Sequence, residues 1–357
     1  MITIIIPTMN RSDFLVRLLD YYADTKFKYR IIIGDSSNAD HAEKTQKALA
    51  RLKDSLNITY LDCKGINHPN TVRKMSSQVD TPYTALICDD DFLVSASVDK
   101  CIDFLEKNRS YSSVHGQGIV FSIKGGWPYG QIENIRAYKQ PIIEHEKASR
   151  RLIDLLSNYS VILFSIHRTD IWQKMWESAA PIIDKAFSEE LLAACLSIIY
   201  GKVKKIDCLH LIRQVHERRY LNPDPYDWVT SSNWHSSFVA FKDALIEKLI
   251  EKDCVSRQDA ERTVKKAFWS YLKTAFVVKY NKGIEREIIY QIKMKDFSSY
   301  LKRLKRIVRS IKNSFITFVN PSYISLEALI NPFSCYKEDF MPVYRAINSP
   351  SSFSEKS

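Results

Sequence analysis

The apolar positions at the start of the chain fall into short β-branched runs: Ile2 to Ile6, Arg30 to Ile33, Ile58 to Leu61 and Thr84 to Cys88. Longer segments of helical periodicity separate them. That alternation predicts an α/β fold, a parallel sheet with crossover helices. In the first crossover Ser12 reads as an N-cap with Asp13 in the first turn, and Phe14, Leu15, Leu18, Leu19 and Tyr22 share one face. Gly116 to Gly130, rich in glycine and aromatics, reads as a strand followed by a hairpin or flexible loop. A helix from Glu146 to Leu156, an apolar strand-like run from Val161 to Ile166 and a helix from Ser188 to the stop at Gly201 follow. After Pro223 and Pro225 strand signals fade and Lys/Glu-rich helical patterns take over. The expected division is therefore 1–225 as the α/β domain, 226–320 as a helical region and 321–357 as an extended tail whose last ten residues are disordered.

Composition narrows the class. With 45% hydrophobic and 26% charged residues over 357 positions, the chain has enough material for a sizeable core, which excludes disorder and fibrous repeats. No apolar run approaches the roughly 20 residues that span a bilayer, and no secretory leader is visible. Seven scattered cysteines without a CxxC pair encode neither a disulfide framework nor a zinc cluster, so a cytoplasmic location is expected. The net charge of +11 suits a polyanionic partner: nucleic acid, an acidic membrane or phosphorylated small molecules.

The most informative residues are Asp89, Asp90 and Asp91, directly after the run Tyr83 to Cys88. Three adjacent carboxylates oppose folding unless a cation sits between them. If the segment is extended, Asp89 and Asp91 face one side and Asp90 the other. Carboxylates are hard ligands for Mg²⁺ or Mn²⁺, and such an ion completes its shell with substrate phosphates, which makes a diphosphate site. A solvated turn is the plainer alternative. The first two strands also end in polar residues, Pro7-Thr8-Met9-Asn10-Arg11 and Asp35-Ser36-Ser37, at the sheet edge where such folds bind ligands. No G-x-G-x-x-G follows strand one and no P-loop occurs, so metal and Arg/Lys must neutralise the diphosphate.

Thr3 to Arg11, then Asp35, then Asn70 with Arg73, then Asp89-Asp90-Asp91-Phe92, together resemble the nucleotide-sugar-binding half of the GT-A glycosyltransferases, in particular the inverting family 2-like branch; the likeness covers Met1 to Tyr220. It implies a Rossmann-like GT-A domain in which Pro7, Thr8, Asn10 and Arg11 shape the nucleotide pocket and Asp35 reads the nucleoside. Arg73 and Asn70 approach the nucleotide, Asp89 and Asp90 bind the donor, and Asp91 with Asp89 holds the metal. Each position also reads as a cap, a turn or a surface charge. The implied donor is a nucleotide sugar, a UDP-sugar first, and the acceptor a glycan or lipid-linked molecule of cell-surface polysaccharide assembly.

An inverting transfer needs a carboxylate to take the acceptor's proton. Phe187-Ser188-Glu189-Glu190-Leu191 is similar to the family's acidic pair, with Glu190 as base and Glu189 beside it, although Glu stands where Asp is commoner and a first helical turn favours Glu without catalysis. The resemblance offers His216 as a late metal ligand, with His210 its rival, and places His115 and the Gly125-Gly126-Trp127 segment near the acceptor. Arg213, Arg218 and Arg219 are candidates for clamping phosphates.

From Lys295 to Asn313, Leu301, Leu304, Val308 and Ile311 share a face amid Lys302, Arg303, Lys305, Arg306, Arg309 and Lys312, and an anionic membrane surface is one expectation for 295–319, core packing the other. Two other classes stay open: a nucleotidyltransferase acting on sugar phosphates, which would want a glycine-rich loop after strand one, and a non-enzymatic binder of membrane or nucleic acid. No RNA-recognition motif supports the last, so no nucleic-acid partner is expected.

Overall fold

The computed structural model describes residues 1–217, 224–293 and 324–348. The expectations for 295–319, Arg218, Arg219 and the last residues of the tail lie outside them.

The α/β order is present. Strands β1 (Ile2–Thr8), β2 (Arg30–Asp35), β3 (Ile58–Asp62) and β4 (Tyr83–Leu86) alternate with helices α1 (Ser12–Asp24), α2 (Ala39–Leu52) and α3 (His68–Ser76). They pair in parallel in the order β3-β2-β1-β4, with Thr8 opposite Asp35 and Ile5 opposite Leu86. Every β1 side chain is buried, as a strand covered by helices on both faces requires. Gly34 lets α3 approach β2: a Cβ there would sit 2.7 Å from Met75 Sδ.

Beyond β4 the sheet is mixed, not wholly parallel. β5 (Phe92–Leu93), α4 (Ser95–Lys107), β6 (Tyr111–Ile123), β7 (Ile132–Tyr138), α5 (Ala148–Ser157), β8 (Ile166–Arg168), α6 (Thr169–Ala179), α7 (Leu192–Tyr200) and β9 (Lys202–Gln214) follow. The sheet continues β4-β8-β6-β9-β5, with β8 antiparallel to β4 and β6, and β7 closing a hairpin on β6. The apolar run from Val161 forms a strand only at Ile166–Arg168; Ile162 and Leu163 are buried in the turn that precedes it.

α9 (Trp234–Asp253) packs on α5 and α7 and α10 (Arg257–Lys293) on α5, with α8 (Pro225–Val229) against α9 and α10. At the far end of α9, the Asp253 carboxylate accepts the first amides of α5, from Ala148 and Ser149, both at 2.8 Å. The stretch expected to be an extended tail instead holds helices Leu326–Ile330 and Lys337–Asn348; the second packs on α1 through Phe340, Val343 and Ile347. One continuous core runs from β1 to this last helix, so the change near residue 225 is one of element type within a shared interior. Among the described residues no helix is long and apolar enough to cross a membrane.

Candidate active site

β4 ends at Leu86, and the chain turns instead of extending, with Asp91 N donating to Cys88 O. The alternating placement expected for the three aspartates therefore does not hold: each carboxylate is drawn to a different element. Asp89 accepts from Thr8 Oγ1 at 2.6 Å and pairs with Arg11, both in the β1–α1 segment. Asp90 accepts from Arg11 Nη1 at 2.9 Å and bonds His216 Nε2 at 2.8 Å. Asp91 accepts from Arg213 Nε at 2.8 Å and from the Gln214 amide at 3.0 Å, both at the end of β9. All three are buried. Arginines thus supply the cations among the carboxylates.

Burial pushes the Asp89 and Asp91 carboxyls upward, against the opposing charges of Arg11 and Arg213 respectively. Burial acts on Asp90 too, but the His216 hydrogen bond and the Arg11 charge outweigh it and hold Asp90 below the ordinary carboxylate range. Beneath the triplet lies a group that sequence reasoning missed. Arg17 of α1, buried against the Phe92 ring, donates to Asp90 O, Pro128 O and Gln214 Oε1. With no carboxylate on its nitrogens, burial pushes its pKa down to about 10. A charged residue one step from the apolar stripe of α1 was the available signal.

The second acidic element is a π-helical turn, Phe187–Leu191, leading into α7. Such turns often mark functional sites. Glu190 is half-buried and accepts from Tyr159 Oη at 2.8 Å. Burial raises its pKa, while the Tyr159 hydrogen bond and the Arg213 charge lower it. Glu189 is raised by burial as well. Arg213 links the two acidic groups: it pairs with Asp91, donates to Tyr138 Oη at 3.0 Å, lies over the Phe164 ring and is felt electrostatically by Glu190.

The other predicted residues fall around this centre with varied partners. Pro7 is buried in β1. Asn10 takes a left-handed backbone (φ 55°), accepts from Asn38 N and donates its own amide to Ser37 Oγ, so it ties the β1 loop to the β2 loop. Asp35 is buried, accepting from Ser37 N and Tyr60 Oη. Asn70 bonds Asn67, the N-cap of α3. Arg73 lies 3.9 Å from Glu177. Ser12 does not cap α1: Arg11 holds that position, and the Ser12 hydroxyl bonds His41 Nδ1.

His216 stacks on Phe14, 4.6 Å between ring centres, with Nε2 on Asp90. Its rival His210 is internal, bonded to Ser97 Oγ and Phe164 O, its pKa pushed down by burial to about 3. His115 is also internal, against the carbonyls of Gly116 and Pro141, rather than facing an acceptor. The Gly125-Gly126-Trp127 segment is pinned: Trp127 O accepts from Gln214 Nε2, and Gly130 N donates to Ile347 O.

For a divalent ion, the donor atoms that lie together are Cys88, Asp90 and Asp91, all within 4.8 Å of one another. Of the expected set of Asp91, Asp89 and His216, Asp91 belongs to this group, Asp89 bonds Thr8 and Arg11, and His216 bonds Asp90. Burial and the charges of Asp91 and Asp90 keep the Cys88 thiol protonated, well above its usual pKa. Two carboxylates remain as hard donors, a set that fits Mg²⁺ or Mn²⁺ completed by phosphate oxygens.

The parallel β3-β2-β1-β4 edge thus carries an acidic triplet after its fourth strand, and Arg213 connects that triplet electrostatically to a second acidic turn. Residues 3–172 match the family model described as Glycosyl transferase family 2. That match lies within the α/β part of the chain, which is thus similar to a glycosyl transferase family 2 domain. No curated protein matches it in sequence.

Among solved structures it is similar to S. aureus TarS, at 12% identity and a TM-score of 0.44 over 77% of this chain and 55% of that one, so the chain spans about half of that longer protein. It is also similar to S. aureus TarS 1-349 in complex with UDP-GlcNAc (11%, TM-score 0.43, 78% and 92%). A third is mannosyltransferase PcManGT from Pyrobaculum calidifontis in complex with GDP-Man and Mn²⁺ (8%, TM-score 0.42, 88% and 87%). Likeness at these scores carries no weight for substrate or mechanism.

Proposed function

We propose that this enzyme transfers a sugar from a nucleoside-diphosphate sugar to a hydroxyl of a glycan or lipid-linked acceptor, with inversion by single displacement. The observation that supports this most is Arg213, which lies against Asp91 and within electrostatic reach of Glu190. A diphosphate at the aspartates and an acceptor hydroxyl at the glutamate would then flank one sugar carbon.

In this reading Asp91 and Asp90 hold Mg²⁺ or Mn²⁺, which when bound withdraws charge from the departing diphosphate. Thr8 and Arg11 fix Asp89, and His216 and Arg11 fix Asp90, so the donor side is set before substrate arrives. Asn10, Asp35, Asn70 and Arg73 would contact the nucleotide. Arg213 steadies the leaving group, and Glu190, aided by Glu189, accepts the acceptor's proton. Surface-polysaccharide assembly is the setting that such an acceptor implies.

The test is a thermal-shift screen of UDP-, GDP-, CMP- and dTDP-sugars with and without Mn²⁺, because a ligand that binds only the native state raises the melting temperature. One nucleotide class stabilising the chain in a Mn²⁺-dependent way is expected; no response to any donor would refute the reading.

A further inference from the structure

Glu190 sits on a turn whose shape is imposed from outside the α/β sheet. Phe187, three residues before it, is buried among Trp228 of α8, Phe241 of α9 and Phe268 of α10, with ring centres 5.1, 4.9 and 5.9 Å away. Asp184 closes the turn's start, accepting from Phe187 N at 3.2 Å and from Trp228 Nε1 at 3.1 Å. On the opposite side stands Tyr159, in the segment after α5. Its ring meets Tyr271 of α10 edge-on at 5.3 Å, and its hydroxyl donates to Glu190 Oε1. α10 reinforces that segment where Thr274 Oγ1 donates to Ser157 O.

We infer that Tyr159 is a positioning residue for Glu190, and that through Tyr271 the helices after residue 225 are a working part of the catalytic centre. The inference rests on Glu190 being the base. A phenol fixed by packing restricts the carboxylate to one rotamer and leaves its other oxygen for the acceptor. It also stabilises the ionised form, the only form that can accept a proton.

The other charged or titratable groups facing Glu190 are few. Arg213 of β9 favours ionisation. Tyr138 of β7 and Tyr271 of α10 feel the Glu190 charge as neutral phenols, their pKa values raised chiefly by burial. On its own segment, Glu189 is beside it, with Lys185 and Asp184 acting on Glu189. Cys195 on α7, near Tyr159 and Tyr271, is a thiol kept protonated by burial. Tyr159 is the one described group hydrogen-bonded to the Glu190 carboxylate.

The experiment uses the full chain with glutamates ¹³C-labelled at the side-chain carboxyl, the Glu190 resonance being assigned by its loss in Glu190→Gln. Carboxyl titration is compared between wild type and Tyr159→Phe, alongside the pH profile of nucleotide release from the donor that the screen selects, and the melting temperature. In Tyr159→Phe the Glu190 titration is expected to move up by about one pH unit, the equivalent of about 1.4 kcal/mol. The acid limb of turnover should move with it, while the melting temperature shifts by only a few degrees. A Glu190 titration and acid limb that stay in place would overturn the inference while leaving the base assignment standing. Turnover that survives in Glu190→Gln would instead overturn the base assignment itself.

Discussion

The two acidic groups are held in opposite ways. The aspartates after β4 sit among ion pairs: Arg11 bridges Asp89 and Asp90, and Arg213 takes Asp91. The glutamates stand on a π-helical turn whose Phe187 is packed in an aromatic shell, with a single phenol on Glu190. The first arrangement is held by electrostatics, at the cost of burying charge. The second is held by packing, with the carboxylate's ionisation left to a balance between burial and one hydrogen bond. Under the proposed roles, a diphosphate site needs fixed charges, whereas a general base gains from a carboxyl that burial raises.

The contrast breaks most visibly at Phe187. Phe187→Ala removes the ring on which the aromatic shell converges and is expected to cost about 3–5 kcal/mol of stability in urea unfolding; a cost under 1 kcal/mol would mean that the turn is not held by packing. On the other side, Arg213→Met leaves Asp91 buried without its ion-pair partner, an expected loss of about 3 kcal/mol. Adding Asp91→Asn should recover much of it, because the uncompensated charge is then gone. Failure of that double variant to recover stability would show that Arg213 acts by packing on Tyr138 and Phe164 instead.

A smaller effect concerns pH. In the folded chain the Glu190 pKa is raised above 4.5, chiefly by burial. Its contribution to stability is therefore fully present below the unfolded value and is lost as pH rises through the folded one. Glu190→Gln never ionises, so its melting temperature should gain on wild type between pH 4 and pH 8 in metal-free buffer; a constant difference would contradict the raised pKa. The smallest change is at the rear of the helical region: Asp253→Ala removes the carboxylate that accepts the first two amides of α5 and should cost about 1 kcal/mol.

The same contrast explains what could be read from the sequence. β1 to β4 and the helices between them announce themselves locally, and the acidic triplet stands where strand and turn meet. Even so, the turn was hidden, because Cys88 continues the apolar run past the last ladder bond, from Ile87 N to Ile5 O. The partners of the aspartates come from far along the chain: Arg213 meets Asp91 across 122 positions, and no local pattern specifies that. Tyr159 gave no signal, since its role depends on a contact with Glu190 and a ring on α10. The last helix had the signal of Phe340, Val343 and Ile347 on one face, but Pro342 inside it masked the period. Ser12 followed the capping rule and still found a better partner in His41.

In the proposed reaction Asp91 holds a divalent ion against a nucleoside diphosphate. Calorimetric titration of the nucleoside diphosphate selected by the donor screen, with and without Mn²⁺, tests it in wild type and in Asp91→Asn. The account predicts binding at least about tenfold tighter with Mn²⁺ in wild type, a coupling of about 1.4 kcal/mol, and no Mn²⁺ effect in the variant. Equal affinity with and without the ion in wild type, or a Mn²⁺ effect that survives in Asp91→Asn, would contradict it.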